Sequence, residues 1–241
     1  MYKQTLHRLL QQPHPSRTAR QPATAALIRR VCGDHHAPLA LRAAVAVAWC
    51  SLLRSREYTA ESARSYIKGF TLLRRHCKWR EDVDGGCYEI HLPHSKSDVY
   101  NNGTSIFVLR VKDDPLCPVR LLAQYLNQTK HHPENSPLFI LPTGAYVTRL
   151  DITAVLKAHA PAVGLPADRI TSHSIRIGAA FVMLAQGVPW PIIRTKGRWM
   201  SDAVALHYAR QSDTTARLAA DALTLTRRPG PEAAPMIGSF K

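Results

Sequence analysis

The hydrophobic and polar positions along the chain predict a mainly helical fold with one small sheet. Residues 38–53 (PLALRAAVAVAWCSLL) are almost wholly apolar and rich in alanine, which predicts a buried helix. Helical spacing recurs over residues 23–33, 117–128, 148–164, 173–187, 189–197, 201–210 and 213–226. The pattern therefore predicts an α+β fold in which helices dominate.

A short β region interrupts the helices. Residues 87–93 (CYEIHLP) and 104–111 (TSIFVLRV) carry the β-branched and aromatic residues that strands prefer. Between them, Asn102-Gly103 is a hairpin-type turn signal. We therefore expect an antiparallel pair of strands with a long tip at 94–103.

The two ends of the chain differ in composition from its centre. Residues 11–22 (QQPHPSRTARQP) are polar and contain three prolines, so residues 1–21 are expected to form an N-terminal segment and linker. Residues 227–241 are rich in Pro and Gly and predict a disordered tail. One folded domain over 22–226 lies between them.

Net charge narrows the class of partner. The 241-residue chain has 32 Lys and Arg against 17 Asp and Glu, a formal net charge of +15. Such an excess attracts polyanions, of which nucleic acid is the commonest, with an anionic membrane or an acidic protein as rivals. Because the arginines are spread along the chain, a folded basic face is favoured over a basic tail.

Cysteine usage and hydropathy point to an intracellular protein. The five cysteines are an odd number without a C-x-x-C pair, so neither a disulfide framework nor a zinc ribbon is expected. The histidine pairs at 35–36 and 131–132 lack a cysteine partner and a ligand spacing typical of metal sites. No apolar run reaches the roughly 18 residues that span a bilayer. We expect no metal, no cofactor and no membrane partner.

Candidate catalytic residues are densest within 171–210. His173 and Arg176 lie three positions apart at a predicted helix start, so they share one face of that helix. Trp199 follows Gly-Arg, and Tyr208 comes nine positions later. Each of these residues taken alone is more often structural, and the ordered set carries the prediction.

Further candidates lie earlier in the chain. Arg54 and Glu57 follow the apolar helix within LLRSRE, and Lys96 lies at the predicted hairpin tip. The residue types suit phosphoryl transfer on DNA, in which Tyr208 attacks a phosphodiester and forms a covalent phosphotyrosyl link. Tyr58 and Tyr66 are the tyrosines to test next.

Each remaining candidate has a distinct chemical role in such a reaction. Arg54 and Arg176 can clamp the two non-bridging phosphate oxygens, because a guanidinium gives bidentate contacts and keeps its charge. Lys96 can protonate the leaving 5′ oxygen. His173 is a candidate general base for the tyrosine, whose unperturbed pKa is about 10. Trp199 can donate its indole N–H to phosphate or wall the site.

The same ordered set resembles the tyrosine recombinase (phage integrase) family, over roughly residues 22–225. The match is nearest to its Cre-like and eukaryotic retroelement or crypton-like branches. The matching motifs are LLRSRE, SKSDVYNNG, CPVRLLAQYL, HSIR, GRWM and the tyrosine that follows. By this resemblance the catalytic residues are Arg54, Lys96, His173, Arg176, Trp199 and Tyr208, with Glu57 as the acidic companion of Arg54. Arg56 is the less favoured register for the first arginine.

The resemblance implies a catalytic domain over 22–226 that breaks and rejoins DNA without metal or cofactor. It implies four protomers on two duplexes, located in the nucleus or, in a prokaryote, in the cytoplasm or nucleoid. Family members usually carry a helical DNA-clamping domain ahead of the catalytic one. With about twenty residues preceding the first helix, we expect another chain to supply the clamp, or a truncated copy. The alternatives are a non-catalytic DNA-binding relic, a type IB topoisomerase-like enzyme, and a basic scaffold protein.

Overall fold

The computed structural model describes residues 20–81, 85–94, 103–111 and 114–200. Several expectations lie outside these ranges: the linker before residue 20, most of the hairpin tip with Lys96, the helices over 201–226 with Tyr208, and the tail. The chain divides into two compact units, Met1–Val182 and Met183–Lys241. Each unit is described by itself.

Seven α-helices and three strands make up the described fold. The helices are α1 (Ala25–Gly33), α2 (Leu39–Ser51), α3 (Ser55–Tyr58), α4 (Pro118–Gln128), α5 (Arg149–His159), α6 (Ser172–Ala185) and α7 (Trp190–Gly197). The strands are β1 (Cys77–Arg80), β2 (Cys87–Leu92) and β3 (Thr104–Val108). Short 3₁₀ helices cover Arg74–His76, Pro161–Val163 and Ala167–Arg169. The predicted fold class, mainly helical α+β with a small antiparallel sheet, is confirmed.

Local capping explains where two of the helices begin. Thr24 precedes α1, and its hydroxyl accepts a hydrogen bond from the Leu27 amide at 3.2 Å. Thr148 and Asp151 form a reciprocal capping box at α5, since the Asp151 carboxylate accepts from the Thr148 amide at 2.8 Å. These side chains satisfy amides that have no partner within the helix.

Helix α2 forms the centre of the core in the first unit. Almost all of its residues are buried, and it packs against α1, α4 and α5. The predicted helix over 38–53 is two residues shorter at its C-terminal end, because Leu52 adopts a left-handed conformation with φ 48°. No helix in the described ranges is long and apolar enough to cross a membrane.

The sheet has the order β1-β2-β3, and both pairings are antiparallel. Residues on one face of β2 are buried: Ile90 and Leu92 are fully inaccessible, whereas His91 between them is exposed. The expected pair over 87–93 and 104–111 corresponds to β2 and β3, although β3 ends at Val108. Strand β1 was not predicted, because its four residues are mostly exposed and show no apolar alternation.

Candidate active site

Arg54 is held by the carboxylate of Glu57. The Arg54 amide donates to Glu57 Oε2 at 2.7 Å, and Arg54 Nη1 donates to Glu57 Oε1 at 3.1 Å. The Glu57 side chain is only 5% exposed, whereas that of Arg54 is 23% exposed. One buried carboxylate thus begins helix α3 and orients the guanidinium of the residue before it.

The segment that carries Arg54 is fixed from two directions. The Glu57 carbonyl accepts a hydrogen bond from the Leu72 amide at 2.7 Å, which ties α3 to the chain that leads into the sheet. Arg56, the other register considered for the first arginine, is exposed and lies over the Phe70 ring at 5.8 Å. Between the two arginines, the structure favours Arg54 as the inward-held cation.

Arg176 connects helix α6 to the turn that precedes Arg54. Its side chain is buried, with the residue 2% exposed, and its Nη1 donates to the backbone carbonyl of Leu52. The two partners are separated by 124 positions in the sequence. Because Leu52 stands two residues before Arg54, this hydrogen bond brings the two predicted clamp arginines to the same part of the fold.

His173 lies in the first turn of α6, three residues before Arg176. Partial burial lowers the pKa of its imidazole, and the cations of Arg20 and Arg176 lower it further. The lowered pKa keeps His173 neutral at physiological pH. A neutral imidazole can accept a proton, as a general base must.

The start of α6 is fixed by its neighbours. Ser174 is fully buried, and its hydroxyl accepts a hydrogen bond from the Thr171 amide at 3.0 Å. The Ser174 carbonyl accepts from the Ala23 amide at 3.0 Å. A Cβ added at Gly178 would lie 1.9 Å from the Ala23 carbonyl oxygen, so α6 approaches the backbone ahead of α1 more closely than a side chain allows.

Trp199 belongs to the second unit. Its indole stacks on that of Trp190, with ring centroids 5.7 Å apart and an interplanar angle of 13°. Arg194 accepts a hydrogen bond from the Trp199 amide through its carbonyl, and it donates to the Trp199 carbonyl through Nε at 3.1 Å. A Cβ at Gly197 would lie 2.5 Å from this ring, which explains the glycine of the G-R-W motif. Packing therefore orients the indole.

The structure brings together only part of the predicted set. Arg54, Glu57, His173 and Arg176 all belong to the first unit, Trp199 belongs to the second, and Lys96 and Tyr208 lie outside the described ranges. Lys96 falls between β2 and β3 in the sequence. Among the described residues, no group of three or more His, Cys, Asp or Glu is arranged to hold a metal ion.

Sequence reasoning missed the role of the Leu52 carbonyl. A backbone acceptor carries no residue-type signal, and the only hint is that an apolar helix ends just before L-R-x-x-E. Sequence reasoning also missed Arg20, whose charge acts on His173. Its position ahead of the first helix gives no indication that the chain there runs beside α6.

The two alternative tyrosines differ in their surroundings. Tyr58 is 3% exposed and its hydroxyl has no hydrogen-bond partner among the described residues. Burial, together with the nearby Glu57 carboxylate, raises the pKa of Tyr58. It is therefore a poor nucleophile for a bulky substrate. The Tyr66 hydroxyl donates to the Asn135 carbonyl at 3.3 Å.

Solved structures provide the comparison for this arrangement. XerA recombinase matches with a TM-score of 0.59 at 17% identity, over 90% of this chain and 67% of that one. XerH site-specific recombinase, bound to its difH substrate after cleavage, matches with a TM-score of 0.58 at 12% identity, over 86% and 54%. A lambda integrase tetramer bound to a Holliday junction matches with a TM-score of 0.52 at 15% identity, over 88% and 56%.

The chain has the fold of a tyrosine recombinase catalytic domain. It spans about two thirds of the length of XerA and about half that of XerH. No protein-family model matches the sequence, and no curated protein matches it. The fold expected from the sequence resemblance is therefore confirmed.

Proposed function

We propose that this chain breaks and rejoins DNA through a 3′-phosphotyrosyl intermediate, with Tyr208 as the nucleophile and residues 22–226 as the catalytic domain. The hydrogen bond from Arg176 to the Leu52 carbonyl carries the proposal. It joins the HSIR helix to the LLRSRE turn, so that arginines from two distant motifs lie in the same part of the fold. Two guanidinium groups that both reach one phosphate would suit the charge that grows on it in the transition state.

The charges of the site support this chemistry. Glu57 orients Arg54 and neutralises part of its charge, and Arg176 is buried beside the same turn. Each fixed donor to a developing oxyanion contributes about 3 kcal/mol. His173, kept neutral by its lowered pKa, serves as the general base for Tyr208. Lys96 protonates the leaving 5′ oxygen, and Trp199 donates to phosphate or walls the site.

The proposed partner is double-stranded DNA, bound at an intracellular, DNA-associated location. The net charge of +15 supplies the attraction, because each neutralised phosphate releases condensed counterions. Assembly as a tetramer on two duplexes is proposed from the lambda integrase tetramer on a Holliday junction. A helical clamp domain, in another chain or elsewhere, completes the grip on DNA.

Trapping on a nicked suicide substrate tests the proposal. We expect a protein–DNA adduct on a denaturing gel, lost in Tyr208→Phe and kept in the matched control Tyr66→Phe. DNA binding is expected to stay close to wild type in both variants, because each loses one hydroxyl. An adduct that persists in Tyr208→Phe would show that another residue is the nucleophile.

Three further outcomes identify the alternatives. Salt-sensitive DNA binding without any adduct, with or without an added clamp domain, would indicate a non-catalytic relic. Adduct formation together with relaxation of a supercoiled plasmid that lacks partner sites would indicate a type IB topoisomerase-like activity. No salt-sensitive binding at all would favour a scaffold protein.

A further inference from the structure

A polar cavity of about 630 Å³ lies at the N-terminal end of α2, at the opposite end of that helix from Arg54. It is lined by the turn before α2 and by one face of α4. Its basic or imidazole side chains are His35, His36, Arg42 and Arg120. No Asp or Glu of the described chain lines it. The cavity therefore favours an anion.

One residue that lines this cavity is a mostly buried arginine. Arg42 is 7% exposed, and its Nε donates to the Cys32 carbonyl at 2.8 Å. Its two terminal amino groups, Nη1 and Nη2, donate to no residue in the described ranges. Neither group is among the fully buried donors without a partner in the described ranges, so both can donate to water or to a ligand that enters the cavity.

One described carboxylate acts on the Arg42 cation, and that carboxylate has other partners. Burial lowers the pKa of its guanidinium, and the Arg120 cation lowers it further. Asp34 is the carboxylate that acts on Arg42, but it also pairs with His159 at 3.2 Å and accepts from the His36 amide at 2.9 Å. A ligand with its own negative charge would add a second anionic group beside the Arg42 guanidinium.

The helix end adds a further attraction for an anion. Pro38 and Leu39 line the cavity at the start of α2, which has 13 residues and no side-chain hydrogen bond at its cap. The free amides and the dipole of such an end favour negative charge. Helix α4 contributes amide side chains to the lining, among them that of Gln124, which can bind a sugar or base.

From these observations we infer that the cavity binds the phosphate group of a nucleotide-sized ligand, with Arg42 as the buried anchor. The volume exceeds one phosphate group and lies within the roughly 300–1,000 Å³ typical of small-molecule sites. Two sources offer this chemistry: a free mononucleotide and a nucleotide of a nucleic-acid backbone. The lining of this cavity includes neither Arg54 nor Arg176, so ligand binding there can be tested independently of DNA cleavage.

Calorimetric titration of the full chain tests the inference. The probes are inorganic phosphate, adenosine monophosphate, adenosine and a short DNA duplex, and the Arg42 Nε–Hε signal in NMR reports on the anchor. Gln124→Glu places a carboxylate at the exposed mouth of the cavity. Gln186→Glu makes the same charge change at an exposed position in the other unit.

If the inference is correct, adenosine monophosphate binds and adenosine does not. Gln124→Glu weakens binding of the monophosphate at least about tenfold, because the new carboxylate repels the phosphate. Gln186→Glu leaves binding unchanged. If adenosine monophosphate does not bind, but Gln124→Glu weakens binding of the duplex and Gln186→Glu does not, the phosphate belongs to a nucleic-acid backbone. Equal effects of both substitutions, equal binding of adenosine and its monophosphate, or no binding of any probe would overturn the inference. Arg42→Met, checked for native unfolding behaviour, should abolish the same binding.

Discussion

The contact between Glu57 and Arg54 allows a prediction that links stability to catalysis. In Glu57→Gln, one of the two carboxylate oxygens becomes an NH₂ group, so a donor faces either the Arg54 amide or its Nη1. Two of the hydrogen bonds to this carboxylate are those from the Arg54 amide at 2.7 Å and from Arg54 Nη1 at 3.1 Å, and both would compete for the remaining oxygen. The substitution therefore removes one hydrogen bond to a charged group, in a place where the Glu57 side chain is 5% exposed.

The expected magnitude follows from this count. A hydrogen bond to a charged group contributes about 1.5–3 kcal/mol. The lost ion pair adds little, because Arg54 is 23% exposed and solvent screens it. We expect Glu57→Gln to lower the free energy of unfolding by about 2–3 kcal/mol. Cleavage should slow by about ten- to a hundredfold, part of the contribution of one oxyanion donor, while DNA binding is nearly unchanged.

Urea unfolding followed by circular dichroism measures the stability, and single-turnover cleavage of a suicide substrate measures the rate. Glu89→Gln is the matched control, because the Glu89 carboxylate in β2 also accepts two hydrogen bonds, from Arg80 and from Ser105, at 2.7 Å each. It should cost no more stability than Glu57→Gln and should leave the cleavage rate unchanged. If Glu57→Gln loses stability without slowing cleavage, Glu57 supports the fold but does not position Arg54. If both variants slow cleavage equally, the effect of Glu57 on the rate does not act through Arg54.

Three other predictions follow from the described contacts. The folded pKa of His173 lies below its ordinary value of 6.5, so protonation favours the unfolded state, and the contribution of His173 to stability is lost as the pH falls through and below 6.5. The cleavage rate should stay level from pH 8 to 6.5 and fall only below that. A pH profile of the same shape in His173→Gln would exclude His173 as the base. Gly178→Ala forces a Cβ against the Ala23 carbonyl and should lower the free energy of unfolding in urea by about 1–3 kcal/mol. Gly33→Ala, whose added Cβ would have Pro115 as its nearest neighbour at 3.8 Å, should leave that free energy unchanged or raise it, and equal effects of the two substitutions would contradict the close approach. Tyr58→Phe removes a buried hydroxyl without a described partner, so it should leave adduct formation intact and keep or raise the unfolding free energy, and loss of the adduct would show that Tyr58 takes part.

Much of the fold could be predicted because apolar periodicity reports burial directly. Helix α4 was expected over 117–128 and lies at Pro118–Gln128, since its apolar stripe and its proline at the first turn agree. Helix α2 ended two residues early, because the left-handed conformation of Leu52 is a tertiary outcome that a leucine does not signal. Strand β1 forms through pairing with β2, which its own four residues do not indicate.

The candidate site was predictable only where side chains carry the chemistry. The pairing of Arg54 with Glu57 could be anticipated from their spacing and opposite charges. The attachment of Arg176 to the Leu52 carbonyl could not, because it depends on where two distant segments meet. The lowered pKa of His173 likewise depends first on burial and then on the cation of Arg20, which the sequence places far from it.

The close approach of Ala23 to α6 has a consequence for His173. The chain ahead of α1 is fastened to the site at two points, by the hydrogen bonds from Gln21 to the Arg169 carbonyl and from Ala23 to the Ser174 carbonyl. These two bonds hold the backbone next to Arg20, whose cation adds to the effect of burial in lowering the pKa of His173. The basicity of the imidazole therefore depends in part on where the chain ahead of α1 is anchored.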